Sequence, residues 1–442
     1  MKKLFTLLYL LILTALTVDA QTWESFAGGL GNGSGAVKAI AEDPVTHSIY
    51  AGGTFTSPIA YLARWNGSAW EAVGTGVNGP VYALAFKNSE LYVGGQFTAA
   101  GGTPVNNVAK WVSPNWTDVG GGFNGQVNCL FVSTLNGSVY AGGNFTLSNS
   151  NTMNHVAKLV STSWNQVGTG IGSIVNAFTE FNGVLYAGTE NVGAPVSKFD
   201  GSVWSTISGL TGGKVYALAS FSNYLYAGGD FSSPTIAAAK YDGTTWGTIQ
   251  TTFGIGDKIY AFYRSSNNIL YIGGKFVNLG IPSNRASYAA KILSPTTPIQ
   301  GITLSSSTIS GEVYAINGLN SVGTAKAIVG GDFSAPVENI AITSLSINVD
   351  ELSGLVIAKS FYPNPVKSTA HVRIQTSERL RNPAFKIYDM QSRLVEGISV
   401  DIQSAGNTLE ASFDCSGLSS GNYFYQLTED GISVLSDKFT VN

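Results

Sequence analysis

Val81-Tyr82-Ala83-Leu84, then Leu91-Tyr92-Val93-Gly94-Gly95-Gln96-Phe97, then Val108-Ala109-Lys110-Trp111, then Trp116: this run decides the fold, because it recurs along the chain. Its first element is hydrophobic, variable, small, hydrophobic. It returns as Val37-Lys38-Ala39-Ile40, Val127-Asn128-Cys129-Leu130, Val175-Asn176-Ala177-Phe178, Val215-Tyr216-Ala217-Leu218, Ile259-Tyr260-Ala261-Phe262 and Val313-Tyr314-Ala315-Ile316. The second element, Tyr-x-Gly-Gly-x-Phe, has its first glycines at Gly52, Gly94, Gly142, Gly188, Gly228, Gly273 and Gly330, spaced 42, 48, 46, 40, 45 and 57 residues apart. In the fourth copy, Gly188-Thr189-Glu190-Asn191, the second glycine and the Phe are lost. The third element is a small-basic-hydrophobic triplet centred on Arg64, Lys110, Lys158, Lys198, Lys240 and Lys291. Six residues beyond the first five basic positions stand Trp70, Trp116, Trp164, Trp204 and Trp246.

Pairs such as Asn66-Gly67, Asp200-Gly201 and Asp242-Gly243 suit the positive φ angles of tight hairpin turns. Each unit therefore reads as four short strands, a to d, and four strands in about 45 residues is the arithmetic of a propeller blade. The seventh unit has strands a and b, and a strand c at Asn339-Ile340-Ala341-Ile342, but no tryptophan follows. Its fourth strand is found at the other end of the sequence, where Thr22-Trp23-Glu24-Ser25-Phe26 matches Ala69-Trp70-Glu71-Ala72-Val73. The expectation is an all-β protein: a seven-bladed β-propeller over residues 21–350, closed by the N-terminal strand, which leaves no sheet edge free to aggregate. Strands a and b, covered by neighbouring blades, should be near-continuously apolar. The Gly-Gly pair should mark a close backbone approach or a bulge. The recurrent basic residue of strand c admits a ring of anion-binding charges, but recurrence at one middle-strand position favours packing of each stem on its own blade.

Composition agrees. The 442 residues include 53 glycines, only 12% are charged, and the formal net charge is −3. An acidic balance excludes an extended nucleic-acid surface, and abundant aromatics exclude disorder. Met1-Lys2-Lys3, the apolar run Leu4 to Leu16 and Val18-Asp19-Ala20 form the three parts of a secretory signal peptide, residues 1–20. This thirteen-residue run, broken only by Thr6 and Thr14, is too short to span a bilayer as a helix, and no later run is long enough, so the mature chain is expected without a membrane span. Removing Lys2, Lys3 and Asp19 leaves 22 basic and 26 acidic residues.

The repeat wording resembles surface-protein propellers of the kelch-like and fungal cortical polarity-marker families, a likeness of fold and not of activity. After about Asp350 the repeats stop. Residues 351–360 read as a linker, and from Phe361 charge rises while glycine falls. His371-Val372-Arg373-Ile374 and Phe385-Lys386-Ile387-Tyr388 alternate like half-buried strands of a small β-sandwich. Residues 361–442 resemble the type A C-terminal sorting domain of the type IX secretion system of Bacteroidetes. The motif residues are Tyr362, Pro363, Asn364 and Pro365, then Gly421 and Tyr423, then Lys438 and Phe439 of the closing strand. Gln391-Ser392 stands where the family has a glycine. The resemblance implies the type IX machinery as a partner, and a secreted or outer-surface location.

Catalytic constellations are scarce. His47, His155 and His371 match no metal spacing, so neither metal nor cofactor is expected. Cys129 and Cys415 read as small buried residues in different domains. No calcium loop and no Gly-x-Ser-x-Gly elbow occurs. Asp230 and Asp332 follow the Gly-Gly pair where other units have Thr54, Gln96, Asn144 and Lys275, which reads as a solvated strand end. A hydrolase or lyase would need two of Asp230, Asp332, Glu180 and Glu190 to flank one cavity, and spacing cannot place them. The expected function is a binding or interaction module for a glycan or protein, through the variable b–c and d–a loops. The alternatives are a polysaccharide hydrolase or lyase and a structural matrix component. The residues that would touch the ligand are not legible.

Overall fold

The computed structural model describes residues 23–26, 28–31, 35–249, 253–265, 268–276, 288–292, 295, 300–301, 309, 311–319, 326–334, 339–343, 356–376, 383–389, 395, 397–429 and 432–442. The expected signal peptide and most of the expected linker lie outside them. Every regular element among the described residues is a strand.

The repeats fold into seven four-stranded antiparallel sheets. Strands a to d are Val37–Glu42, Ile49–Gly53, Leu62–Trp65 and Trp70–Ala72 in sheet 1, and Val81–Lys87, Glu90–Gly95, Val108–Val112 and Asn115–Asp118 in sheet 2. Sheet 3 holds Val127–Val132, Val139–Gly143, Val156–Val160 and Ser163–Gln166, and sheet 4 holds Val175–Phe181, Val184–Thr189, Val196–Phe199 and Trp204–Thr206. Sheet 5 holds Val215–Phe221, Tyr224–Gly229, Ala238–Tyr241 and Trp246–Thr248, and sheet 6 holds Lys258–Arg264, Leu270–Lys275, Ala289–Ile292 and Gln300–Gly301. Sheet 7 takes Glu312–Leu319, Lys326–Asp332 and Ile340–Thr343, and its outer strand is Trp23–Ser25, with Trp23 opposite Thr343.

Strand a of each sheet packs on strand a of the next, and strand a of sheet 7 packs on that of sheet 1. The first glycine of each Gly-Gly pair makes this possible. A Cβ on Gly52, Gly94, Gly142, Gly188, Gly228 or Gly273 would run into the first Val or Ile of strand a in the following sheet. Gly330 stands in the same relation to Val37 of sheet 1. The seven seated residues, Val37, Val81, Val127, Val175, Val215, Ile259 and Val313, are all 0% exposed, and each contributes about 2 kcal/mol of apolar burial. The second glycine faces a backbone carbonyl of its own sheet, as Gly95 faces Pro80. Thr189 occupies that place in sheet 4, fully buried, with Oγ1 donating to the Pro195 carbonyl at 3.2 Å.

Strand b is buried nearly throughout, as expected. Strand a is less so: it mixes buried and half-buried residues, as in Val37–Glu42 and Val81–Lys87. Farther out, Trp116, Trp164 and Trp204 donate Nε1–H to the carbonyls of Val73, Val119 and Val167 in the preceding unit, at 2.9–3.1 Å. The basic residue of strand c stands opposite the Tyr of strand b in six sheets: Tyr50 with Arg64, Tyr92 with Lys110, Tyr140 with Lys158, Tyr186 with Lys198, Tyr226 with Lys240 and Tyr271 with Lys291. Lys110 and Lys158 lie 5.9 and 5.8 Å from their tyrosine centroids, whereas Lys240 lies 4.8 Å from that of Tyr224 and Arg64 pairs with Glu71, so these four basic side chains are engaged on their own sheets. In sheet 7 both partners change together, to Ile328 opposite Ile342.

The C-terminal segment forms two further antiparallel sheets. One is Val356–Tyr362, Thr369–Thr376, Thr408–Asp414 and Val400–Ala405, and the other is Pro383–Tyr388, Gly421–Glu429 and Ile432–Val441. They share one core of Val372, Ile374, Phe413, Tyr425, Leu427 and Phe439 among others. Residues 356–360, expected in the linker, already belong to the first strand, where Ser360 pairs with Arg373. The alternation of that strand's partner, His371-Val372-Arg373-Ile374, is strict.

Candidate functional site

In all seven sheets the a–b register shifts by one residue at the same place. The unpaired residue is the variable one of the first sequence element: Lys38, Tyr82, Asn128, Asn176, Tyr216, Tyr260 or Tyr314. A bulge re-aims its side chain and interrupts pairing. All seven bulged residues are half-buried, and neighbours touch across sheets. Tyr216 and Tyr260 lie 5.5 Å apart by centroid, Tyr260 and Tyr314 4.9 Å, and Lys38 Nζ sits 3.1 Å from the Tyr314 centroid. On the other side, Gln126 Nε2 donates to Asn128 Oδ1 at 2.7 Å, Asn128 Nδ2 to Asn176 Oδ1 at 2.9 Å, and Asn176 Nδ2 to the Val215 carbonyl at 3.2 Å. One bulged position per repeat thus makes a belt in which Tyr216, Tyr260, Tyr314 and Lys38 form one contacting run and Asn128 and Asn176 an amide pair.

The belt has a charged margin where strands a begin and strands b end. Lys214 Nζ reaches Glu190 Oε2 at 2.6 Å, Lys258 Nζ reaches Asp230 Oδ2 at 3.7 Å, and Lys275 Nζ reaches Glu312 Oε1 at 2.9 Å. Each pair joins a residue at the end of strand b of one sheet to a residue at the start of strand a in the next. The residues after Gly-Gly in sheets 4 to 6 are therefore junction partners, not merely solvated strand ends. The tyrosines tie into the same carboxylates: Tyr216 donates its hydroxyl to Asp230 Oδ2 at 2.8 Å and Tyr314 to Glu312 Oε2 at 2.9 Å.

Burial, then these carboxylate contacts, push the Tyr216, Tyr260 and Tyr314 phenols upward, so they stay protonated hydroxyls. Burial lowers the Lys38 ammonium to about 8, against the opposing pull of Asp332 and Glu312. Burial works to raise Glu312, yet hydrogen bonds from Lys275 and Tyr314 outweigh it and leave the carboxyl below its ordinary value.

Of the four candidate carboxylates, Glu190, Asp230 and Asp332 gather at this margin, joined by Glu312, which the sequence pattern did not single out. Glu180 does not: it sits at the far end of strand a, accepting from Thr134 N at 2.9 Å and from the Ser133 hydroxyl. The histidines stay apart. His47 pairs with Glu42 at 2.7 Å, His155 Nδ1 contacts the Gly143 carbonyl at 3.1 Å, and His371 stacks on Tyr362. Cys415 is buried and its thiol is pushed up to about 11, and burial raises Cys129 too. Among the described residues no group of three or more His, Cys, Asp and Glu could hold a metal ion. Nor is any described helix long and apolar enough to cross a membrane, which says nothing of strands.

In the C-terminal segment the motif residues converge on the closing strand. Asn364 Oδ1 accepts from Thr440 N at 3.0 Å, and Val366 N donates to the Thr440 carbonyl at 2.7 Å. Tyr423 pairs with Phe439, stacks on it at 5.7 Å and donates its hydroxyl to the Ser419 carbonyl at 3.0 Å. Tyr362, Pro363, Pro365, Gly421 and Lys438 are exposed around them. Residues 360–442 match the family model of the secretion system C-terminal sorting domain. The sorting domain thus agrees with the resemblance carried by Tyr362 to Phe439. Residues 75–247, which contain sheets 2 to 5, match the Rax2 C-terminal beta propeller domain, and the body is propeller-like. No curated protein matches the chain. Among solved structures, the computationally designed Ika8 protein aligns with 73% of this chain and 100% of its own, at 15% identity and a TM-score of 0.42. BBS1N, in a complex with ARL6DN, aligns with 74% of this chain and 98% of its own, at 10% identity and a TM-score of 0.45.

Proposed function

We propose that this protein is an exported binding module: a closed seven-bladed β-propeller over residues 21–350 that captures an extracellular glycan or protein ligand. A signal peptide over residues 1–20 starts its export. The sorting domain, which implies type IX secretion, completes it and places the protein at the outer surface or outside the cell. The cyclic packing of strands a, the seat of Val37 on Gly330, and the bond from Asn339 Nδ2 to the Leu30 carbonyl at 2.7 Å support closure between the last and first blades.

The observation that carries the binding reading is the seven-fold bulge. It presents one side chain per blade at the same place in the register, Tyr in four blades, Asn in two and Lys in one. A bulge repeated at one place in all seven sheets re-aims seven side chains in the same way, which suits a surface that presents them to a ligand. The b–c and d–a loops open at the charged margin of the same belt and extend the surface. A hydrolytic reading fits less well. A general acid needs a carboxyl raised toward neutrality, whereas Glu312 is moved the other way, and Glu190 and Asp230 are engaged by lysines.

Glycan-array and pull-down experiments on the full chain test the module, and silence in both would remove it. Deleting residues 361–442 tests the route: the propeller should then stop in the periplasm, and unchanged surface delivery would refute type IX export.

A further inference from the structure

We infer that the belt formed by the bulged residues is the ligand site, and that its ligand is a neutral, hydroxyl-rich saccharide. This inference rests on the binding-module reading and names where and what the module binds.

Three features of the belt define the partner. The first is an aromatic surface whose neighbouring rings are tilted 47–48° to one another. The tyrosine rings of Tyr216, Tyr260 and Tyr314 lie 4.9–5.5 Å apart, too close to admit anything between them. A ligand meets them from the inner face, as the C–H face of a sugar ring can.

The second is hydrogen-bonding capacity. The phenol protons of Tyr216 and Tyr314 already go to Asp230 and Glu312, so these oxygens have lone pairs to offer and no proton. The amide chain from Gln126 through Asn128 to Asn176 uses one N–H of each residue. Each amide carries two, so one N–H per residue remains. A ligand spanning the belt must therefore donate to phenol oxygens on one side and accept from amides on the other. A hydroxyl does both, whereas a carboxylate or phosphate only accepts and an ammonium only donates.

The third is charge. At the three junctions Glu190–Lys214, Asp230–Lys258 and Lys275–Glu312 each carboxylate is matched by an ammonium. Lys38 faces Asp332 and Glu312 in the same way. An anion would displace lysines from their carboxylates, and a cation would do the reverse. A neutral polyol disturbs neither set and buries little uncompensated charge.

The test is calorimetric titration of the full chain with three oligosaccharide sets of equal length: neutral glucans and mannans, uronate oligomers and glucosamine oligomers. A neutral set should bind, and both charged sets should bind at least about tenfold more weakly. Tyr260→Ala in the aromatic run and Asn176→Ala in the amide pair should each weaken binding about tenfold or more. Tyr260→Phe keeps the ring and removes the hydroxyl, so it should cost only a few-fold and separates a lost contact from a loosened blade. Thermal melting of each variant checks the fold. Neutral binding unchanged in both Tyr260→Ala and Asn176→Ala, or charged oligomers bound as tightly as neutral ones, would overturn the inference and leave the module intact. No saccharide bound while a protein partner is captured would also overturn it. Neither saccharide nor protein bound would remove the module itself.

Discussion

Sheets 1 to 3 and sheets 4 to 7 share one repeat, yet their junctions are finished differently. At the inner margin of the later junctions stand Glu190 with Lys214, Asp230 with Lys258 and Lys275 with Glu312. At the same positions earlier stand Thr54 and Pro80, Gln96 and Gln126, and Asn144 and Ile174, none of them charged. The bulged residues do not share that division: Lys38, Tyr82 and Asn128 stand in sheets 1 to 3, and Asn176, Tyr216, Tyr260 and Tyr314 in sheets 4 to 7. The Val-on-Gly seat is common to all seven junctions. The comparison separates two tasks. The glycine seat holds neighbouring sheets together, while the margin and bulge residues are free to vary and so can be given to recognition.

The most damaging change should be to the shared seat. Gly142→Val, at an uncharged junction, and Gly228→Val, at a charged one, should each cost about 3 kcal/mol by overpacking, read as a lower denaturation midpoint. If only one of the two falls, the seat is not the common element. Lys38 comes next, at the junction between the two halves. Burial brings its pKa to about 8 in the fold, against 10.5 for a solvated lysine. The unfolded chain therefore binds more protons between these values, and stability must rise with pH across that window. Relative to Lys38→Met, the wild type should gain about 2 kcal/mol between pH 7 and 10.5; parallel curves would show that Asp332, Glu312 and the face of Tyr314 fully compensate the charge.

Smaller effects sharpen the outer edge. Trp164→Phe removes one of the two donors to the Val119 carbonyl, which keeps Gly122 N at 3.1 Å, and should cost about 1 kcal/mol. Trp246 Nε1 has no partner among the described residues, so Trp246→Phe should cost well under about 1 kcal/mol; equal losses would show that packing alone matters there. The least effect is expected at the margin. Lys214→Ala should cost under about 1 kcal/mol and vanish in high salt, since the Lys214 side chain is 37% exposed. Glu312, held below its ordinary value, adds stability above that value which is lost as pH falls through the folded pKa. Glu312→Gln should flatten this acid limb.

Much of this was legible in the sequence because it repeats at fixed spacing. The Gly-Gly pairs, the Tyr opposite each basic residue and the tryptophans six residues on all report contacts that recur in register. What spacing could not reveal is contact between different repeats. Glu190 and Lys214 meet because one residue ends a strand b and the other begins the next strand a. The sign of the pair reverses at Lys275 and Glu312, so no single column of the repeat shows a pattern. The bulge was hidden for a related reason: a variable position in an aligned repeat looks like tolerance, and only the register shift shows that all seven variable side chains share one face. The boundary at Val356 was missed because Val356-Ile357-Ala358-Lys359-Ser360 pairs with a strand whose alternation is clear while its own is not.

Trp23 lies opposite Thr343, so the seventh sheet is assembled from two distant parts of the chain. That pairing sets an order of events. The segment around Trp23 has no partner until residues 340–343 are available, and bringing the two together carries a loop-closure entropy that no earlier sheet bears. Six sheets can form from contiguous chain, and the seventh only when residues 340–343 meet the segment around Trp23. Folding is therefore timed by the last repeat. A permuted chain that carries residues 23–31 just after Thr343 should fold faster than the natural order while unfolding at much the same rate.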